Sequence, residues 1–346
     1  MGGIADILIV GGGVIGLTTA WHLAGDGVRV TVVDQGEVGR QASWAGAGIL
    51  PDADPDRART PLELLKAHSI RMWPELSAQL QQETGLDNGY CVCGGIEVPE
   101  DGGTVPTEEW HGEGTPAEPV PEGVFYPRLA QVRNPRHMQA LAAACRGRGV
   151  ALEEGWPVRR LVTEGDQIVG VEGERGYCGA GQVLIANGAW AGQLGVELPV
   201  RPVRGQIVLF DAGRPTPQTV WMLGKRYVVL RGDGMVLAGS TEEEAGFDAT
   251  PTEEAVAGLV AFARRLLPWL ADAPVTRSWA GLRPASPDGL PYLGAVHGVR
   301  GLHVAAGHFR AGLGLSPATG VVMAQHLTGR ETLLPLEAFR MDRASS

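Results

Sequence analysis

Ile4-Ala5-Asp6-Ile7-Leu8-Ile9-Val10-Gly11-Gly12-Gly13-Val14-Ile15-Gly16 stands near the start of the chain and decides its fold. The run from Ile4 to Val10 is short, apolar and closed by glycine, as in a strand buried on both faces of a parallel sheet. A helical pattern follows, with Val14, Leu17, Trp21 and Ala24 on one face and Gly25 and Gly27 at its end. Val28–Val33 then reads as a second buried strand that stops at Asp34. This is a β–α–β unit with Gly11-x-Gly13-x-x-Gly16 at its first turn. In such a unit Gly11 makes the tight turn, Gly13 admits a pyrophosphate to the backbone, and Gly16 lets helix and sheet pack closely. The helix N-terminus offers N–H groups and partial positive charge to the phosphates. Asp34 can accept both hydroxyls of a ribose, and its charge opposes a 2′-phosphate.

The fingerprint alone leaves FAD and NAD open. Two further stretches favour FAD. The small residues of Arg40–Leu50, Ala45-Gly46-Ala47-Gly48 among them, could lie against a large flat ring. The distant Gly307–Gly314 aims flexible backbone and then a helix N-terminus at one place, which suits negative charge on a reduced flavin. Read by themselves, both stretches are equally well a loop followed by a capped helix.

Farther along, Thr60-Pro61-Leu62-Glu63 is a capping box with proline at the first helical position, predicting a helix to about Met72, before Pro74. Strands are expected at 90–98 and 124–126, separated by a Gly/Pro/Glu-rich excursion at 99–123. Asn134-Pro135 is expected to cap a helix through about Arg146. Strands near 150–154, 158–163, 167–172, 175–178 and 182–186 come next. The segment 199–240 alternates and is broken by Gly and Pro, the pattern of an antiparallel sheet. Thr250–Glu253 caps another helix, Gly301–Ala306 reads as a strand, and Ser316-Pro317 is expected to start the last helix, through about Leu327.

A length of 346 residues suits two joined domains rather than one core. Net charge is −10 and no basic stripe stands out, which argues against nucleic acid as a partner. The 51 glycines punctuate apolar runs and do not pool into one tract, so disorder is not the reading. Cys91, Cys93, Cys145 and Cys178 form neither a disulfide framework nor a metal site; the single residue between the first two suits strand alternation. No positively charged leader and no membrane-length apolar run is present, so the expectation is cytoplasmic residence.

Several stretches together resemble the D-amino-acid oxidase family of FAD-dependent amine oxidases, and within it the glycine-oxidising branch that serves thiamine thiazole synthesis. They are Gly11–Gly16, Ser43-Trp44-Ala45-Gly46-Ala47-Gly48-Ile49-Leu50, Ile185-Ala186-Asn187-Gly188-Ala189-Trp190, Trp279-Ala280-Gly281-Leu282-Arg283-Pro284, Asp288–Gly294, Ala306-Gly307-His308-Phe309-Arg310-Ala311-Gly312 and Ser316–Gly320. The resemblance spans nearly the whole chain and is poorest at 99–123. It implies an α/β protein, α+β overall, in which a Rossmann-type FAD-binding domain carries an inserted antiparallel-sheet substrate domain. The expected FAD-binding domain comprises 1–82, 133–198 and 281–346; the substrate domain comprises 83–132 and 199–280.

By position, the resemblance makes Arg283 the arginine that grips the substrate carboxylate. It makes Tyr227 the hydroxyl contact to that carboxylate, and Arg310 a second arginine near substrate and flavin. FAD contacts are implied at Gly11, Gly13, Val14, Ile15 and Gly16, at Asp34 and Gln35, and at Ala42, Ser43, Ala47, Gly48 and Ile49. Val158 and the turn His308, Phe309, Arg310, Ala311, Gly312, Leu313 and Gly314 complete them. No metal is implied, and no Cys after Cys178 could hold the flavin covalently. His308 has the chemistry of a base but reads as part of the flavin loop. Glu242 departs from one family pattern, in which an apolar residue can approach the substrate side chain; a carboxylate there could help hold an amine or point to water, and the run Glu242-Glu243-Glu244, which reads as solvated, favours water. The implied reaction takes a hydride from the α-carbon of glycine, sarcosine or a D-amino acid to flavin N5, with imine hydrolysis and O₂ reduced to H₂O₂. Partners are then a small amino acid and O₂, with no membrane span, and a homo-oligomer is compatible. Two other readings stay open: a D-amino-acid or proline-type dehydrogenase with a non-oxygen acceptor, and a non-catalytic flavin- or NAD-binding regulatory module.

Overall fold

The structure is a computed structural model that describes residues 5–99, 118–120 and 123–343. Most of the expected excursion at 99–123, and Ile4 of the opening strand, lie outside the described residues. The chain runs through β1 (Ala5–Val10), α1 (Val14–Gly25), β2 (Val30–Val33), α2 (Ala42–Ala45), β3 (Ile49–Leu50) and α3 (Pro61–Thr84). Short strands follow: β4 (Cys91–Val92), β5 (Gly95–Glu97), β6 (Glu118–Val120), β7 (Gly123–Tyr126) and β8 (Ala130–Gln131). Then come α4 (Asn134–Gly147), β9 (Ala151–Glu153), β10 (Val158–Glu164), β11 (Gln167–Gly173) and β12 (Gly176–Ile185). The next group is β13 (Arg201–Asp211), β14 (Thr219–Leu223), β15 (Arg226–Leu230), β16 (Met235–Gly239) and α5 (Glu253–Leu266). Last are β17 (Val275–Ala285), β18 (Tyr292–Ala295), β19 (Leu302–Ala306) and α6 (Gly312–Leu327).

β1 is the centre of the first sheet. It pairs in parallel with β2 on one side and β12 on the other, and β12 pairs in parallel with β19. Ile7, Leu8, Ile9 and Val10 are all buried because both faces of this sheet are covered. One face packs Ile7 and Ile9 on α1, α3, α4 and α6; the other packs Leu8 and Val10 around Ile185, Leu198 and Val304. Asp6 escapes burial and pairs with Arg29 at 2.6 Å.

The second sheet runs β17-β13-β16-β15-β14-β5-β7-β6 and is antiparallel except where β14 meets β5. Helix α5 covers one face through Leu259, Phe262 and Ala263. The other face turns toward the first sheet. Its strand β17 pairs with β13 from Val275 to Ala285, so the border expected between residues 280 and 281 falls inside one strand. β3, β8 and β4 make a small third sheet between the two.

Four local expectations are corrected. Helix α3 runs through Pro74 to Thr84, because Trp73, Leu76 and Leu80 are buried and their packing outweighs the hydrogen bond that proline removes. The strands expected at 175–178 and 182–186 are one strand: Gly176–Gly179 of β12 pairs antiparallel with β11, and Ala180–Ile185 pairs in parallel with β1. Asn134 does not cap α4; its amide donates to the Ser43 carbonyl at 2.7 Å. Helix α6 starts at Gly312 and holds Pro317 inside it; the Leu313 carbonyl that the missing N–H would reach accepts the Ser316 hydroxyl at 2.8 Å instead. The capping box of α3 is present, with Glu63 N–H to Thr60 Oγ1 at 3.2 Å and Thr60 N–H to Glu63 Oε2 at 3.1 Å. Thr60→Ala is expected to destabilise the apoprotein by about 1 kcal/mol, with Thr60→Ser close to wild type, as read from urea unfolding.

Candidate active site

One cavity of about 770 Å³ runs from the C-terminal ends of β1, β2, β12 and β19 to the inner face of the second sheet. Ligands of open α/β sheets bind at such strand ends. At its nucleotide end, Gly11 has φ 112°, and a Cβ there would lie 2.5 Å from the Ala186 carbonyl oxygen. Gly16 does not line the cavity. Its missing side chain lets α1 lie on the Gly11 carbonyl, 2.0 Å from where a Cβ would be. Helix α1 therefore starts with its N-terminus at the cavity wall and no side-chain cap at Gly13.

Asp34 holds this end together. Its Oδ2 accepts Gly12 N–H at 2.7 Å and its Oδ1 accepts Gly36 N–H at 2.9 Å. Burial raises its pKa above the ordinary 3.8, and those two hydrogen bonds act against the shift. Ser43 Oγ accepts Val14 N–H at 2.9 Å, tying α2 to the start of α1. Two buried acceptors in the lining, Asn134 Oδ1 and Asn187 Oδ1, have no partner among the described residues. Such atoms await a donor.

The 45–48 backbone is gripped from the second sheet. Trp279 Nε1 donates to the Ala45 carbonyl at 2.9 Å, and Arg231 Nη2 donates to the Ala47 carbonyl at 2.6 Å. Burial pushes the Arg231 pKa down to about 10. Sequence reading missed Arg231; nothing in Leu230-Arg231-Gly232 separates it from a surface arginine. Across the cavity, Gly312, Leu313 and Gly314 bring in the uncapped start of α6. His308 is buried, 3.4 Å from Thr319 Oγ1 through Nε2, and burial pushes its pKa down to about 3. It is neutral at any working pH.

Arg283 (on β17) and Tyr227 (on β15) reach the same cavity from different strands. Arg283 Nη1 donates to the Thr241 carbonyl at 3.0 Å and Nη2 to Ser240 Oγ at 2.7 Å. Burial lowers its pKa, and the Arg310 charge adds to the effect. Its guanidinium lies flat on Gly205, where a Cβ would sit 2.2 Å from Cζ. Gly205, also missed, could have been found only by placing it across the β13–β17 pair from Gly281. Arg310 is exposed and pairs with Glu242 at 3.2 Å, so Glu242 is held by a cation rather than simply facing water. Gln35, Ala42, Ala47, Gly48, Ile49, Val158, Phe309 and Ala311 all border the cavity as well.

With this geometry in place, the chain matches the family model described as FAD dependent oxidoreductase over residues 6–326. The chain belongs to the D-amino-acid oxidase family of FAD-dependent oxidoreductases. It is 40% identical over 349 residues to the glycine oxidase of Pseudomonas aeruginosa, covering 95% of this chain and 96% of that one. It is 34% identical to the bifunctional protein ThiO/ThiG of Trichormus variabilis, covering 98% of this chain and 55% of that protein. The crystal structure of glycine oxidase from Geobacillus kaustophilus superposes with a TM-score of 0.91 at 32% identity, covering 99% of both chains.

FAD is thus the cofactor, and the residues present fit it: a carboxylate that would suit ribose hydroxyls, two helix starts that would suit a diphosphate and a flavin, and two acceptors without a partner among the described residues. Among the described residues no helix is long and apolar enough to cross a membrane. Asp34→Ala is expected to weaken FAD binding at least about tenfold, since a charge-assisted hydrogen bond contributes about 1.5–3 kcal/mol. Fluorescence titration of apoprotein with FAD measures it.

Proposed function

We propose that this flavoenzyme oxidises glycine or another small amino acid, sarcosine and small D-amino acids included. The imine product hydrolyses to the 2-oxo acid, and O₂ is reduced to H₂O₂. In this reading the first sheet with its helices holds FAD and the second sheet holds the substrate. The same oxidation would supply an imine to thiazole assembly in thiamine synthesis; the 34% identity to 55% of a ThiO/ThiG chain supports that placement.

The observation that carries the reading is Arg283. It is a largely desolvated guanidinium at a cofactor cavity, bonded to a carbonyl and a hydroxyl and not to a carboxylate. Such a cation keeps its net charge for an anionic ligand, and its planar fork matches a carboxylate. Tyr227 packs its ring over Gly239, the residue opposite it on β16, which leaves its hydroxyl on the cavity side of the sheet. Together they would fix the α-carbon against the flavin-facing loop 45–48. Bound FAD supplies the oxidation, accepting a hydride from the α-carbon and returning the electrons to O₂. The chain's own work is then orientation and exclusion of water. A neutral, buried His308 adds no acid or base at working pH.

Three outcomes test this. Under air, glycine or sarcosine should yield H₂O₂ in step with substrate lost; dye reduction without peroxide would transfer the electrons to another acceptor. Arg283→Lys should keep the yellow flavin spectrum while kcat/KM falls about 10- to 100-fold, the effect of losing one charge-assisted contact. Gly205→Ala should push the guanidinium off its floor and lower kcat/KM about 100-fold with FAD still bound, since misplacement near 1 Å has that size of effect.

A further inference from the structure

Residues 240–242, just past the end of β16, touch both arginines of the substrate end. Ser240 Oγ and the Thr241 carbonyl hold Arg283, and the next side chain, Glu242, takes Arg310. The two segments that carry the arginines are also joined directly: Phe309 N–H donates to the Pro284 carbonyl at 2.7 Å, with Phe309 itself at φ 47°. Arg283 and Arg310 are thereby fixed on neighbouring stretches of one wall. Their charges act on each other, and Glu242 opposes the effect of Arg310 on Arg283. Arg283 has no acidic partner, whereas Arg310 is already neutralised.

We propose that Glu242 is a specificity-determining residue: by engaging Arg310 it withholds the second guanidinium from substrate, so that amines with one carboxylate are accepted and dicarboxylic amines are turned away. The proposal rests on the amino-acid-oxidising reading above. A first carboxylate goes to Arg283. A second one, two or three bonds beyond the nitrogen or α-carbon, meets a spent cation and the negative charge of Glu242. The pair is about two-fifths exposed on each side and makes a single 3.2 Å contact, so it is weak enough for one substitution to open it.

The test uses holoenzyme and needs no turnover. Acetate, with one carboxylate, and diglycolate, with two, are titrated against the flavin absorbance of wild type, Glu242→Gln and Glu242→Gln/Arg310→Met. The amide keeps the shape of Glu242 and removes its charge. Expected is a gain of at least about tenfold in diglycolate affinity relative to acetate in Glu242→Gln, lost again in the double variant. The kcat/KM ratio of iminodiacetate to glycine should move the same way. An unchanged ratio, no diglycolate binding in Glu242→Gln, a gain that survives Arg310→Met, or wild-type enzyme that uses iminodiacetate as well as glycine would each overturn the proposal. If the binding ratio shifts but no amine is oxidised, the reaction reading fails and the selectivity stands. If glycine is oxidised but the ratio is flat, only the selectivity fails.

Discussion

Everything at the nucleotide end depends on how closely three pieces of backbone approach at Gly11. The turn after β1 presses on the end of β12 at Ala186, and α1 presses on the turn itself through Gly16. Any side chain at Gly11 would have to occupy space held by backbone, which cannot move aside as a flexible side chain can. Because the contact closes, the axis of α1 points its N-terminus into the cavity, and the N–H of Gly12 reaches the Asp34 carboxylate at the end of β2. That bond in turn joins β1, α1 and β2 into one binding edge. A burial that raises the Asp34 pKa is acceptable there because two backbone donors partly compensate it.

The other end of the cavity is built differently. No glycine fingerprint organises it; it is a bracket between two sheets. The 45–48 backbone starts from the first sheet's side and is fixed by Trp279 and Arg231 of the second. The α6 start closes from a segment more than 260 residues farther along the chain. Hydrogen bonds to this one short loop therefore tie the two sheets together, and Arg283 shares β17 with Trp279.

How much could be read from residues alone follows this division. The β–α–β unit was legible because periodicity, glycines and Asp34 lie within one short stretch, so local rules are enough. The α3 capping box was legible for the same reason, but its length was not: Trp73, Leu76 and Leu80 carry the helix past Pro74 by burial against distant elements. The double life of β12 escaped because each half follows a different partner. Asn134 has the chemistry of a helix cap, yet Ser43, 91 residues away, claims its amide. The resemblance supplied Arg283, Tyr227 and Arg310. It could not supply Gly205 or Arg231, whose meaning exists only once strands are paired.

Three shielded arginines of the second sheet show why residue type is so weak a guide. Arg204 is buried and saturated by acids, with Glu243 at 2.6 Å and Asp248 at 2.8 Å, and its pKa is raised chiefly by the Glu243 hydrogen bond. With two carboxylates against one guanidinium the group carries a net negative charge, and Arg204 has nothing left for a ligand. Arg231 is buried without an acid but spends its donors on Gln131, Val132 and Ala47 oxygens, so its charge is solvated by dipoles and its N–H groups are used. Arg283 lies between these cases. It has dipolar partners on one edge, enough to fix the fork, and a flat glycine floor beneath, but no anion. Desolvation makes that unpaired charge costly in the empty protein, and the same desolvation makes an incoming carboxylate worth more than it would be at the surface. Arg283 thus joins a desolvated charge to a fork left partly open on the wall of the cavity, and it is this position, not the presence of an arginine, that sets it apart from Arg204 and Arg231.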